Sequence, residues 1–281
     1  MDDKAIVITG ANGQVGRALQ KVYPQALALD REQLDITNQK AINEFNWDNV
    51  KVIINAAAWT DVDGAENPSN YNLVKAVNVD ASRYLATAAS QHDLTFVTFS
   101  SDYVFDGSQP IHNEDELFSP LNIYGKTKAD GDLAAATTIK HYIIRTSWVI
   151  GDGRNFVNIM QDLAARGVRP SVVNDQIGRL TFTDTLARGI RHLLETGAPY
   201  GTYNLTNEGQ PASWADIAKI IVFEKSGKSS SDIQPVSTAE YFASKPGVAQ
   251  RPLQSTLDLT KIEKTGFIPE DWRDKLDKLL G

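Results

Sequence analysis

The chain contains no cysteine and only two methionines among its 281 residues. Without thiols there is no disulfide framework, no thiolate nucleophile and no cysteine-ligated zinc. The four histidines, at positions 92, 112, 141 and 192, are scattered. No two have metal-ligand spacing, so they read as structural or surface residues and no metal is expected. No apolar run approaches the roughly 20 residues that a membrane-spanning helix needs. Positive charge is in deficit: Lys and Arg number 28 against 35 Asp and Glu, a net charge of −7. An acidic surface argues against a general nucleic-acid partner and leaves room only for a local basic pocket. The opening "MDDKAIVITG" has neither the basic region nor the long apolar run of a signal peptide, so a cytoplasmic location is expected. The Asn204-Leu205-Thr206 sequon then reads as a chance match.

What is present is ordinary globular usage, 42% hydrophobic and 22% charged, enough for one large domain or two smaller ones sharing a cleft. Short apolar runs recur as "KAIVITG", "ALALD", "VKVIINAAA", "LTFVTFSS" and "HYIIRTSWVI", the first of them β-branched and unbroken. Helical patterns separate them, among them stretches near 67–91 and 120–137. Strands apolar on both faces and alternating with helices predict a parallel sheet covered on both sides, the doubly wound α/β class. After Trp148 the texture changes to amphipathic helices ("NFVNIMQDLAARG", "DTLARGIRHLLETG", "SWADIAKIIVFEKSG") and short strands ("SVVND", "GTYNLT"). Ser213 is a candidate N-cap. The polar stretch "EKSGKSSSDIQP" at 224–235 reads as a loop. The predicted plan is a nucleotide-binding domain over 1–148 and a smaller α/β domain over 149–281 that mainly binds substrate. Some elements of the second are expected to return to the first sheet.

"ITGANGQVGRAL" places Gly10, Gly13 and Gly16 after a strand and at the opening of a helix. There the first glycine permits a tight turn and the second lets backbone approach a pyrophosphate. The third packs helix on strand, and the helix N-terminus favours the anion. Gln14 and Val15 are counted with this turn. The pattern predicts a Rossmann dinucleotide site. Asp30 ends the second strand where an acid bonds an adenosine ribose, which favours NAD. Arg31 beside it suits a 2′-phosphate, which favours NADP, so the choice between NADH and NADPH stays open. Asp35 and Ile36 either flank the adenine or, for Asp35, cap the helix beginning near residue 38. The "GKT" at 125–127 is not a phosphate loop, since Pro120 stands where that motif needs glycine.

Tyr124 and Lys128 stand four apart, one turn along one helix face. A free tyrosine, with a pKa of about 10, is a poor acid at neutral pH. A nearby cation lowers that value, so Lys128 is expected to tune Tyr124 as a proton donor. Ser101, at the carboxyl end of a predicted strand, supplies a hydroxyl to polarise a carbonyl. These three are the candidate catalytic residues of a reductase. Arg251, in "QRPLQSTLD", offers a guanidinium suited to a nucleotide diphosphate.

With "GANGQVG", "VIINAAAWTDVDGAE", "SSDYVF", "PLNIYGKTKADGD", "IIRTSWVIG", "VVNDQIGRLT" and "QRPLQSTLD", the chain resembles the extended short-chain dehydrogenase/reductases. Within them it is most similar to the dTDP-4-dehydrorhamnose reductase family. The resemblance implies reduction of the 4-keto group of dTDP-4-dehydro-L-rhamnose by NADPH or NADH. It assigns Tyr124 as proton donor, Lys128 as its tuner and a ligand of the nicotinamide ribose, and Ser101 as the carbonyl's partner. Ala56, Ala57 and Ala58 pass along the cofactor, and Asn78 helps to hold the catalytic end. Asp102, Tyr103, Trp148, Asn174 and Gln176 join Arg251 at the substrate. Three positions depart from the family: Ser101 replaces the common threonine, Leu180 replaces a proline, and Ala18 replaces a glutamate that in some members holds a bridging Mg²⁺, with Asp184 at a later such position. A monomer or a metal-independent dimer is therefore expected. Two other readings stay open. A nucleotide-sugar 4-epimerase uses the same Ser-Tyr-Lys set, and a non-enzymatic NADP-binding subunit keeps the fold. A 4,6-dehydratase is disfavoured because Tyr103 stands where its glutamate is needed.

Overall fold

The computed structural model describes residues 2–281 except Lys228, Ser244 and Pro246. Its first part alternates β1 (Ile6–Thr9), α1 (Gln14–Val22), β2 (Leu27–Leu29), α2 (Gln39–Glu44) and β3 (Val52–Asn55). Then come α3 (Val62–Ala65), α4 (Tyr71–Lys75), α5 (Ala81–Gln91), β4 (Thr95–Ser101), α6 (Ile123–Ala135) and β5 (His141–Thr146). A π-helical stretch, Ala76–Asp80, joins α4 to α5. Every residue of β1 and β3 is buried, because helices cover both faces of the sheet. This is why the strand sequences run apolar without alternating.

The chain continues with β6 (Val149–Ile150), α7 (Phe156–Ala165), β7 (Ser171–Val173), β8 (Ile177–Gly178), β9 (Thr181–Phe182), α8 (Thr183–Thr196) and β10 (Gly201–Asn204). It ends with β11 (Ala212–Ser213), α9 (Trp214–Ser226), β12 (Gln234–Val236), α10 (Thr238–Phe242), α11 (Thr260–Glu263) and α12 (Trp272–Leu280). The main sheet has six parallel strands in the order β10-β5-β4-β3-β1-β2. From β1 the chain steps outward to β2 and then crosses back to β3 on the other side. The crevice of a doubly wound sheet opens at such a reversal, beyond the carboxyl ends of the strands.

The three largest apolar clusters among the described residues hold this together. On one face of the sheet, Leu19 of α1 and Leu186, Ile190 and Leu193 of α8 pack on Ile8, Ile54 and Ile144. On the other, Leu85 and Ala89 of α5 and Ile42 of α2 cover Val7, Ile53 and Phe96. A separate core joins α7, α9 and α12 through Val157, Met160, Ile217, Ile221, Trp272 and Leu276.

Several local readings change. "GTYNLT" forms the sixth strand of the main sheet, beside β5. "HYIIRTSWVI" is not one strand: it breaks at Trp148, whose φ of 47° turns the chain so that β6 pairs with β9 instead. The polar stretch at 224–235 is not all loop, since α9 runs to Ser226 and Gln234–Val236 pairs with β7, while Lys228 lies outside the described residues. Asn38, not Asp35, caps α2, because its side chain accepts from the amides of Lys40 and Ala41. Ser213 does cap α9. The Asn204 side chain is buried and donates to the His112 carbonyl, which leaves the sequon no exposed amide. Among the described residues no helix is long and apolar enough to cross a membrane.

Candidate active site

A cleft of about 980 Å³ opens at the strand-order reversal. Gly10 forms the turn after β1 with φ +72°, and a Cβ there would stand 2.5 Å from the amide nitrogen of Ala57. A Cβ at Gly16 would stand 2.2 Å from the Gly10 carbonyl oxygen. Both glycines are therefore demanded by close approach. Helix α1 then begins at Gly13 with no side-chain cap and no acid in its first turn. Its leading amides are suited to an anion, and this arrangement fits a dinucleotide pyrophosphate. Gln14 and Val15 line the same wall.

The sequence-predicted adenosine residues Asp30, Arg31, Asp35 and Ile36 also line the cleft, as do Ala56, Ala57 and Ala58. The Asp30 carboxylate accepts from the amides of Glu32 and Gln33 and from the Asn12 side chain. Arg31 is largely exposed, with its Nε 3.8 Å from Asp35. The Asp35 carboxyl is held below its ordinary range: burial works against this, but hydrogen bonds from the Thr37 hydroxyl and amide and the charge of Arg31 outweigh it.

At the other end of the cleft, Ser101 closes β4 and starts a single 3-10 turn, Asp102–Val104. Its Oγ accepts from the Tyr103 amide at 3.1 Å and donates to Asp102 Oδ1 at 2.9 Å. Helix α6, capped by Asn122, packs directly on that turn. A Cβ at Gly125 would stand 2.1 Å from the Tyr103 carbonyl oxygen, so glycine is what lets the helix come this close. The close packing brings Tyr124 and Lys128 into the same wall as Ser101. Asn78, in the π-helical stretch, accepts from the Trp59 amide and donates to Thr127 of α6. It ties the loop after β3 to α6.

The electrostatics differ from expectation. Burial pushes the Tyr124 phenol up to about 12, with hydrogen bonding to Ser101 pulling the other way and the charges of Asp102 and Asp132 adding to the rise. Lys128 does not lower it here. Its Nζ donates to the Phe99 carbonyl at 2.6 Å, and burial depresses its own pKa against the support of Asp132. Asp132 stands four residues beyond Lys128, buried, and pairs with Arg145 of β5 at 3.1 Å. Sequence reasoning passed over Asp132, although it continues the Tyr124–Lys128 spacing by one more turn.

Asp102, Tyr103 and Trp148 line the cleft as expected. Trp148 stacks on Trp214 at 3.7 Å with the rings 18° apart. Trp214 also faces the cleft, as do Arg17, Trp59 and Arg154, and no local motif marked any of these four. Asn174, Gln176 and Arg251 lie outside the cleft wall. The Asn174 amide pairs with Val236, and Gln176 is buried and donates to Thr238. Arg251 forks onto Asp63 at 2.6 and 2.8 Å. That carboxylate, with the Ala249 carbonyl, engages the guanidinium that the sequence offers as a diphosphate ligand. Leu180 is wholly buried, and the Thr181 amide after it donates to the Trp148 carbonyl, so this segment is packed despite the missing proline. Ala18 of α1 is buried in the cluster that includes α8, and Asp184 pairs with Lys275 and Arg188.

The family model described as "RmlD substrate binding domain" matches residues 4–281. A dTDP-4-dehydrorhamnose reductase of Aggregatibacter actinomycetemcomitans is 39% identical, covering 98% of this chain and 97% of its own. The crystal structure of a dTDP-4-dehydrorhamnose reductase from Clostridium acetobutylicum superposes with a TM-score of 0.89 at 37% identity over 97% of each chain. One from Bacillus anthracis, solved in complex with NADP, superposes at 0.88 and 33% identity, again over 97% of each. With a full-length family match and relatives of this closeness, the chain belongs to the RmlD family of dTDP-4-dehydrorhamnose reductases.

Proposed function

We propose that this protein reduces the 4-keto group of dTDP-4-dehydro-L-rhamnose to give dTDP-L-rhamnose, using NADPH or NADH. The observation that carries the reading is the convergence of Ser101, Tyr124 and Lys128 in one cleft with the Gly10–Gly16 turn. The names of the relatives supply the substrate, and NADP in a relative's structure supports the cofactor. The reading places the enzyme in the cytoplasm, with the second half of the chain forming most of the sugar site.

The leading turn of α1 would hold the cofactor's pyrophosphate, Asp30 and Arg31 the adenosine ribose, and Ala56–Ala58 the segment between. The bound cofactor would supply a hydride to C4. The remaining work falls to the protein. As O4 gains negative charge, Ser101 donates a hydrogen bond to it and Tyr124 gives up its proton. A phenol with a pKa near 12 remains protonated at neutral pH. It is still a stronger acid than an alcohol, which gives up its proton only far above the phenol range. Transfer to the nascent alkoxide is therefore downhill. Lys128, one turn along α6 with its Nζ at the Phe99 carbonyl, would hold the nicotinamide ribose.

The test is to supply dTDP-linked 4-keto sugars and follow NAD(P)H absorbance. Tyr124→Phe keeps the ring and loses only the donor, so turnover should fall by about 10²–10⁴-fold with cofactor binding intact. A variant within a few-fold of the wild-type kcat would refute the assignment.

A further inference from the structure

We propose that Asp102 is a proton-controlled switch on Ser101, freeing the serine hydroxyl to donate to the substrate's carbonyl oxygen only while the carboxyl is neutral. The inference rests on the reductase reading above and concerns a positioning role, since Asp102 acts through Ser101.

The argument is one of hydrogen-bond valence. A serine hydroxyl has one proton to give and two lone pairs. Ser101 uses a lone pair to accept the Tyr103 amide at 3.1 Å. Its proton goes to Asp102 Oδ1 at 2.9 Å. An ionised carboxylate is acceptor-only, so it claims the one proton that Ser101 needs for the ketone. Protonation on Oδ1 reverses the bond: that O–H donates to Ser101 Oγ, and the serine proton turns to the cleft, where the Tyr124 hydroxyl also reaches Ser101. Ionisation releases the carboxyl proton to solvent and forms or breaks no other covalent bond.

The surroundings raise the proton affinity of the carboxyl. Asp102 is 2% exposed. The charged groups that face it are already engaged. His112, from the segment between β4 and α6, pairs with Glu116 at 2.8 Å. Arg251, behind Tyr103, pairs with Asp63. The other titratable neighbours are the phenols of Tyr103, on the same turn, and Tyr124, on α6. Ser255 faces it from the C-terminal segment. Burial pushes the Asp102 carboxyl up to about 6, against the hydroxyls of Ser255 and Ser101 and the charge of His112. The switch thus lies within a range that an assay can cross.

The experiment measures kcat at saturating cofactor and sugar across about pH 5 to 9 for the wild type, Asp102→Asn and Ser101→Ala. Loss of one preorganised donor to a developing oxyanion costs about 10²–10³-fold. Wild-type kcat should therefore fall through an ionisation near pH 6, separate from any alkaline loss through Lys128. The carboxamide of the Asp102→Asn variant cannot ionise and offers an N–H to Ser101 Oγ. The ratio of variant to wild-type kcat should rise at least tenfold across the range. Ser101→Ala removes the group through which Asp102 acts, and should show no such limb even if Asp102→Asn does not fold. Infrared titration gives a readout without turnover: a protonated-carboxyl band present at low pH, lost as pH rises and absent from Asp102→Asn. A limb near pH 6 that survives in Ser101→Ala, or a turnover-competent enzyme without the band, overturns the switch alone. A wild type that reduces no 4-keto sugar overturns the reductase reading and the switch's target with it.

Discussion

Replacing Asp132 with Asn removes one charge from a buried pair whose side chains are 5% (Arg145) and 4% (Asp132) exposed. Breaking such a pair from one side typically costs about 3–5 kcal/mol, because the partner is left charged and uncompensated. Arg145 keeps other support: its guanidinium donates to the Glu114 carbonyl and lies over the rings of Phe105 and Phe118. The lower end, about 3 kcal/mol, is therefore expected. For a chain of 281 residues the unfolding entropy is about 0.6 kcal/mol/K, which turns that loss into a fall in Tm of about 5 °C. The second consequence is chemical. Asp132 holds the Lys128 pKa up against burial, so its loss makes the ammonium easier to deprotonate. Activity should then disappear at a lower pH on the alkaline side than in the wild type. Calorimetry and a pH–rate profile read the two effects separately. A double variant, Asp132→Leu with Arg145→Met, should recover stability relative to Asp132→Asn, since a buried pair replaced from both sides leaves no orphan charge. An Asp132→Asn enzyme with unchanged Tm and an unshifted alkaline limb would refute this account of the pair.

Two further outcomes are expected. Arg31 stands exposed at the cleft rim near Asp35, so Arg31→Ala should raise the Kd for NADPH more than that for NADH, of which only the former carries a 2′-phosphate; equal losses by titration would show that Arg31 does not reach it. Ala18 is buried and cannot ligate a cation, so chelator treatment should leave both kcat and solution mass unchanged; loss of activity, or a mass that rises on adding Mg²⁺, would count against this.

Where the physics is local, the chain declares itself. Gly10 with Gly16, the short apolar strands and Ser213 before α9 are set by backbone sterics, two-sided burial and capping, all legible in a short window. The Tyr124–Lys128 spacing is legible for the same reason, since helix periodicity alone puts both on one face. What the window does not contain is charge environment and partner choice. Lys128 was expected to lower the tyrosine pKa, yet burial dominates and the ammonium is turned to the Phe99 carbonyl. Arg251 looked like a diphosphate ligand until the fold brought Asp63 to it from far along the chain. Trp214 faces the cleft only because α9 folds back to stack it on Trp148. The bond between Ser101 and Asp102 joins sequence neighbours, but the burial that gives it meaning comes from α6 and the segment around Ser255. The sequence by itself determined the fold class, the cofactor turn and the Ser-Tyr-Lys set. Only the tertiary structure decided their desolvation and their hydrogen-bond partners, because those depend on atoms that distant segments bring together.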